Sequence, residues 1–471
     1  MSRLYLALLA LALNGCTLGP DFVRPEPRPL TWHAPLPHGG KLENLSRWWE
    51  QFNDPLLNQL IADAERGNPT LDQALAKVIE ARTGVDGATA GYYPGVAAGV
   101  SSTQSKSVFG PQLLQQRLDK VGFDSSWELD LLGKNRRTTE AARARLGASV
   151  ANWHQARISL AAEVADAYVG LRQSEALLDI EQQRHQSRSE TLRMVTAKQA
   201  AGLSSTVDAA RSEADFADGN AAYAARLGEY QKALNRLAAL TGIEQESLKS
   251  RLDHRRGLIP LPNSIDVASV AADVLRQRPD VAAAEMELAA ASAEIGAKKA
   301  ELLPSLTLTG SVGFNSLHVG GANLQATTWS FGPSLFIPVF DAGKRKSLVE
   351  GAQARYRYSE AGYRKAVRDA VRETEDALAR LDAANNRLEQ GKAIQEKYRL
   401  IYVAAQRRSD AGMYSRLSLE EVLRSRLQAE DALAGHRREA VAAWIALYKA
   451  LGGGWDGDLH RTDLADSGDR K

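Results

Sequence analysis

Three stretches of the chain alternate apolar and polar residues with a period of two. In the first, Val121, Phe123, Trp127, Leu129 and Leu131 share one face while Gly122, Asp124, Ser126, Glu128 and Asp130 take the other. Leu306, Leu308, Val312 and Phe314 repeat the pattern against Thr307, Thr309, Ser311 and Asn315, and Trp329, Phe331, Leu335, Ile337 and Val339 repeat it against Thr328, Ser330 and Ser334. Such alternation predicts β-strands with one apolar face. Pro94 opens a fourth, weakly patterned strand reaching about Val108, and residues 109 to 117 are expected to form the turn after it. Around the strands the period lengthens. A helix is expected over about Pro55 to Ala90, and Lys134 to Ala201 and Lys344 to Ala411 are proline-free and rich in good helix formers. Each of these two would extend about 100 Å as continuous helix. Val164, Leu171 and Leu178, and likewise Leu381 and Leu388, recur every seven residues as a coiled-coil-like seam. Gly202 and Gly412, where each long helix stops, read as the caps of tight helix-to-helix turns.

The chain contains itself twice, at a spacing of about 210 residues. Pro69 matches Pro279, Pro94 matches Pro304, Gly133-Lys134 matches Gly343-Lys344, Asp166-Ala167 matches Asp376-Ala377, and Gly202 matches Gly412. Each copy reads as helix, two strands, long helix, helix. The expected organisation is a signal peptide over 1–15, a leader over 16–54, repeats over 55–260 and 261–455, and a disordered tail over 456–471. Strands of this length suffice to cross a bilayer when tilted, with the apolar face toward lipid and the polar face toward a lumen. Four strands cannot close a barrel, and an open edge in lipid leaves backbone groups unpaired, so several chains must share one barrel.

The amino terminus adds a location. Arg3, an apolar run from Leu4 to Leu13, and then Asn14-Gly15-Cys16 form a secretory signal ending in a lipobox-like sequence. Cys16 is the only cysteine and sits where lipidation needs it, which also excludes an internal disulfide. Thr17 follows, with no aspartate of the kind that retains enterobacterial lipoproteins at the inner membrane. Six of the 16 prolines fall between Pro20 and Pro37, the mark of an extended leader. A formal charge of +2 gives no electrostatic reason to expect nucleic acid as a partner.

Little speaks for an enzyme. The eight histidines are scattered without metal-ligand spacing. The segments Asp130 to Lys134 and Asp341 to Lys344 mimic a phosphate loop but lack its first glycine and its final Ser or Thr, and read as strand-to-helix turns. Four methionines and isolated histidines give no sign of a soft-metal path.

These residues together resemble the TolC-type outer-membrane factors, in the OprM/NodT-like subgroup of efflux lipoproteins. The resemblance rests on Cys16 with Gly19 to Phe22 and Arg24-Pro25, on Trp48-Trp49, Phe52, Asp54-Pro55 and Asn68-Pro69, and on Arg278 to Val281, Leu303-Pro304 and Phe340 to Gly343. It implies an α+β membrane protein: a homotrimer whose strands form a twelve-stranded outer-membrane β-barrel, four from each chain, continuous with a long periplasmic α-helical barrel. It further implies a lipid, such as palmitate, on Cys16 and no other cofactor. The implied partners are outer-membrane lipid, a periplasmic adaptor (membrane fusion protein), and an inner-membrane pump of the resistance-nodulation-division type. The implied function is passive exit of drugs or other small toxic organic solutes, as in multidrug resistance, with type I protein secretion or metal-ion efflux as alternatives. The family's gate lies at the periplasmic helix turns, where acids six and nine positions after the second turn glycine commonly ring the entrance. Those positions are Ser418 and Glu421 here, while Asp208 supplies an acid in the first repeat. Asp410, Tyr414, Arg416 and Glu420 share the same tip and are candidates for the hydrogen bonds and ion pairs that hold it closed.

Overall fold

The computed structural model describes residues 17–24, 45–109, 112–262, 278–455 and 457. Cys16, the expected signal peptide, most of the leader and most of the tail lie outside the described residues. A short 3-10 helix, Leu45–Phe52, precedes α1 (Pro55–Gly67) and α2 (Pro69–Ala90). Strands β1 (Gly95–Phe109) and β2 (Gln112–Leu129) lead into α3 (Lys134–Ala200), α4 (Thr206–Thr241) and the short α5 (Gln245–Leu252). The order then repeats with α6 (Pro279–Ala300), β3 (Ser305–Val319), β4 (Ala322–Phe336), α7 (Lys344–Asp410) and α8 (Arg416–Ala450).

Three expectations change. The helix foreseen over 55–90 is two helices, because the proline at 69 holds Asn68 in extended backbone. The turn foreseen over 109–117 gives way to strand at residue 109 and at 112–117, which pair between β1 and β2, while 110 and 111 lie outside the described residues. β2 and β4 end at Leu129 and Phe336, so Leu131, Ile337 and Val339 follow the strands rather than belong to them. The second hairpin turns on Gly320 and Gly321, both at positive φ, the conformation a two-residue turn needs to match strand twist.

The described residues form two compact units. One holds residues 17–24, 76–150 and 283–365 and contains the sheet, four antiparallel strands in the order β1-β2-β3-β4. The register aligns the apolar positions of all strands on one side: Ala98, Phe123, Val312 and Trp329 make one rung, and Val100, Val121 and Phe314 the next. This side is bare in the single chain, with Trp329 78% and Phe331 75% exposed. From the Val121 rung to the Leu129 rung the apolar side runs eight residues. At ordinary strand rise and tilt that is about 20 Å, near the height of a barrel's lipid band. At the seam between the repeats Gly122 faces Gly313. A Cβ on Gly122 would stand 2.5 Å from the Val312 carbonyl oxygen, so the two strands meet closely only because both residues are glycine. The edges of β1 and β4 pair with no further strand among the described residues.

The other unit holds the described parts of 27–75, 151–282 and 366–471. Its core includes Val164, Leu171, Leu178, Leu381 and Leu388, all buried as the seven-residue spacing foresees. Trp48 stacks on Tyr448 with ring centres 4.4 Å apart, and Phe52 and Trp444 complete the cluster. The duplication shows in a shared device. Asn68 and Arg278, each just before a helix-opening proline, donate to the carbonyls of Leu240 (3.0 Å) and Ala450 (2.9 Å) at the ends of α4 and α8. No described helix is long and apolar enough to cross a membrane.

Candidate functional site

Both long helices end in the same turn. After α3, the Leu203 N–H donates to the Lys198 carbonyl (2.8 Å) and the Gly202 N–H to that of Gln199 (2.9 Å). After α7, Met413 and Gly412 donate to Arg408 (2.8 Å) and Ser409 (2.9 Å). This is the Schellman pattern, and it needs left-handed backbone at Gly202 (φ +73°) and Gly412 (φ +74°). The next helix starts at once. Ser205 caps α4 by accepting from the Asp208 N–H at 3.1 Å, and Ser415 caps α8 by accepting from the Ser418 N–H at 3.0 Å.

The caps explain why Ser418 can stand where its repeat partner is acidic. Asp208 answers the cap, accepting from the Ser205 N–H (3.2 Å) and hydroxyl (2.7 Å). These bonds, the Ser205 hydroxyl first, hold its carboxyl below the usual carboxylate range. Ser418 occupies the same place and meets the Ser415 hydroxyl at 2.9 Å. Both turns are capped by their serine, and only the first is closed reciprocally, by the Asp208 carboxylate.

Of the other tip residues, Glu420 accepts a hydrogen bond from the Ser187 hydroxyl on α3. It starts a ladder between α3 and α8 in which Arg424 donates to Thr191 (3.3 Å), Arg426 to Gln183 (3.2 Å), and Arg184 pairs with Asp431 (3.0 Å). Tyr414 packs under the Arg408 guanidinium, 5.8 Å from ring centre to charge. Arg416 does not pair with Glu420, Glu421 or Asp410. It lies instead near Glu190 of α3, whose carboxyl is held down first by its hydrogen bond to Arg193 and then by the two arginine charges. Glu421 and Asp410 are exposed. Leu203, Val207 and Met413 are also exposed, at 77, 73 and 68%. Ser187, Arg184 and Asp431 escape a reading of the sequence, because the ladder joins residues more than 230 positions apart with no local pattern.

A second site lies just after Cys16. Leu18 donates from its N–H to the Leu132 carbonyl (3.3 Å), and the buried Arg137 guanidinium donates to the Leu18 carbonyl (3.1 Å) and the Asp21 carboxylate (2.7 Å). Gly19 lies on Gly296 so closely that a Cβ on either would overlap backbone, and Arg24 pairs with the buried Glu285 at 2.6 Å. Residues 17–24 are thereby strapped to the start of α3 and to α6, within a few residues of the strand ends. The loop-like segments at 130 and 341 are helix caps. Asp130 accepts from the N–H groups of Asn135 (3.0 Å) and Arg136 (2.9 Å), and Asp341 from those of Gly343 (3.1 Å) and Arg345 (3.2 Å), so a carboxylate already fills the place of a phosphate.

The family model described as outer membrane efflux protein matches residues 60–243 and 270–453. Nodulation protein T of Rhizobium leguminosarum bv. viciae is 30% identical over 459 residues, covering 96% of this chain and 94% of its own. The toluene efflux pump outer membrane protein TtgC of Pseudomonas putida is 28% identical, with 96% of each chain covered. The solved structure of the outer-membrane channel OprN superposes with a TM-score of 0.80 at 30% identity, over 93% of this chain and 100% of that one.

Proposed function

The chain belongs to the outer membrane efflux protein family, and from that membership we propose how its residues carry out transport. It is the outer-membrane exit duct of a tripartite efflux system and not an enzyme, and it works with a periplasmic adaptor and an inner-membrane pump. Three copies share one barrel of twelve strands, four from each chain, and the helices extend into the periplasm. The observation that carries this reading is the sheet with two open edges and a bare apolar side, which no single chain can make stable in lipid. Repeats over 55–260 and 261–455 divide each copy, so that the shared barrel has six similar units.

Passage is passive, and the solutes are drugs or other small toxic organic molecules. A relative named for toluene efflux supports that class over secreted proteins or metal ions. The test is genetic: cells lacking the chain become sensitive to organic toxicants. The entrance is held by the turns at Gly202 and Gly412. Glu420 and its ladder hold α8 to α3 within a chain, while Asp410, Arg416 and Glu421, exposed in one copy, meet the neighbouring copies; Tyr414 and Asp208 stiffen the turns. Adaptor docking on the exposed Leu203, Val207 and Met413 loosens this arrangement.

Cys16 carries the lipid. Support comes from the strap, which holds its neighbour Thr17 against Gly133, close to where the barrel strands end. Cys16→Ser is expected to abolish incorporation of labelled fatty acid and to leave an unacylated amino terminus by mass spectrometry. Retained label would show that the lipid is not carried by Cys16.

A further inference from the structure

The two sides of the sheet exchange character near its hairpin end. Through the lipid band the outward side is apolar and the lumen side polar, with Ser311 and Ser330 hydroxyls 2.8 Å apart and Asn315 donating to Thr328. Beyond the Val121–Phe314 rung this reverses. On the outward side the next rungs bring Asp119, Ser316, Arg117, His318 and Asn323. Asp119 pairs with Arg117 at 3.0 Å, and Ser316 donates to Asn323 at 3.0 Å. This stretch of wall therefore stands in water, outside the membrane. On the lumen side of the same stretch one rung reads Thr103, Leu118, Leu317 and Leu324. Three leucines side by side serve no packing need of the single chain on a lumen face whose neighbouring rungs toward the membrane carry Ser101, Lys120, Asn315, Ala326, Ser311 and Thr328, and Leu324 is 60% exposed.

Resting on the duct reading above, we infer that Leu118, Leu317 and Leu324 of the three copies form an apolar collar around the exit of the lumen, which contacts the apolar surface of departing organic solutes. Leu324 lies on edge strand β4, beside the seam with a neighbouring copy, and threefold symmetry sets the leucines of the three chains at one height around the lumen. A twelve-stranded barrel at ordinary spacing and tilt has a backbone radius of roughly 12 Å, so inward leucines line a neck without filling it. The β3–β4 hairpin beyond the collar turns in two residues, Gly320 and Gly321, which is too little chain to reach across the mouth. The collar thus lies one lumen-side rung, that of Gln116, Val319 and Ala322, from the end of the β3–β4 hairpin. Weak apolar contact there raises the local occupancy of a solute with an apolar face and still lets it leave, the condition for efficient passage. A hydrophilic solute gains nothing from it.

The test has a geometric and a functional arm. In trimers purified into lipid nanodiscs, Leu317→Cys is expected to react with a small charged thiosulfonate but only slowly with a bulky poly(ethylene glycol) maleimide, while His318→Cys on the outer wall reacts readily with both. Equal reaction of the two cysteines with the bulky reagent would overturn the inward placement. In cells, Leu118→Ser/Leu317→Ser/Leu324→Ser is expected to raise steady-state accumulation of the apolar dye Nile red at least about threefold, a loss of apolar contact worth less than 1 kcal/mol. Accumulation of a hydrophilic β-lactam should stay at the wild-type level. Leu324→Ser alone, at the exposed edge position, gives a smaller shift in the same direction and serves if the triple variant fails to form trimers. Unchanged Nile red accumulation in a variant that still assembles would overturn the collar. If deleting the whole gene changes accumulation of neither probe, the duct reading fails and the collar with it.

Discussion

Replacing Arg172 with methionine is expected to cost about 3–5 kcal/mol of stability, the usual result of leaving a buried charge without its partner. Arg172 is fully buried and Glu175 nearly so. The guanidinium donates to Glu175 (2.9 Å), to the Tyr168 hydroxyl (3.1 Å), and to the carbonyls of Leu252 and His254 (both 2.8 Å). Glu175 in turn accepts from the Gly257 N–H at 2.9 Å. Tyr168 donates to Asp54 at 2.7 Å, and Asp54 caps α1 by accepting from the Leu56 N–H at 3.1 Å. Burial pushes the Tyr168 hydroxyl well above its ordinary range despite the neighbouring Arg172 charge, so it stays a donor at every working pH. One cation therefore joins the start of the first repeat, its long helix and the segment that closes it. Denaturant unfolding of the detergent-solubilised protein should show the loss, and Arg172→Met/Glu175→Met should recover part of it because no uncompensated carboxylate remains. A single variant within about 1 kcal/mol of wild type, or a double variant no better than the single, would show that the network is solvated and not a joint.

Loosening the α3–α8 ladder gives the second large effect. Glu420→Ala with Arg184→Ala removes the Ser187 and Asp431 links, each worth on the order of 1 kcal/mol. Three chains lose them together, so the closed entrance is disfavoured well over tenfold. Single-channel conductance in planar bilayers is expected to rise several-fold over wild type. Arg416→Ala with Glu421→Ala, which touches exposed tip charges, should act in the same direction if those residues meet neighbouring copies. Unchanged conductance in the ladder variant would place the closing contacts elsewhere along the helices.

Elements with a strong period were legible from residue order alone. Phe123, Trp127, Leu306, Leu308, Trp329 and Phe331 announce an apolar side, and the paired register confirms that all six share it. Gly202 and Gly412 could be read because only left-handed backbone lets one long helix turn at once into another. The strand over Gln112 to Arg117 was missed for a physical reason: it lies beyond the lipid band, so nothing obliges its outward residues to be apolar. Asp208 illustrates another limit, since an acid at a tip looks like a gate residue whether or not a capping box already holds it. Arg137, Arg172 and Arg184 were invisible as functional positions. Their partners at Leu18, Leu252 and Asp431 lie far along the chain, and an arginine within a long amphipathic helix looks like any solvated charge until the burial around it is known.

The exit-duct role proposed for this chain is the passage of small organic toxicants. It is tested most directly by deleting the gene and measuring susceptibility to a panel of drugs, organic solvents and metal ions, with the wild-type chain restored as control. Greater sensitivity to several drugs or solvents, no change for metal ions, and full recovery on restoration are the expected results. Unchanged sensitivity across the panel, accompanied by loss of a secreted protein, would contradict it.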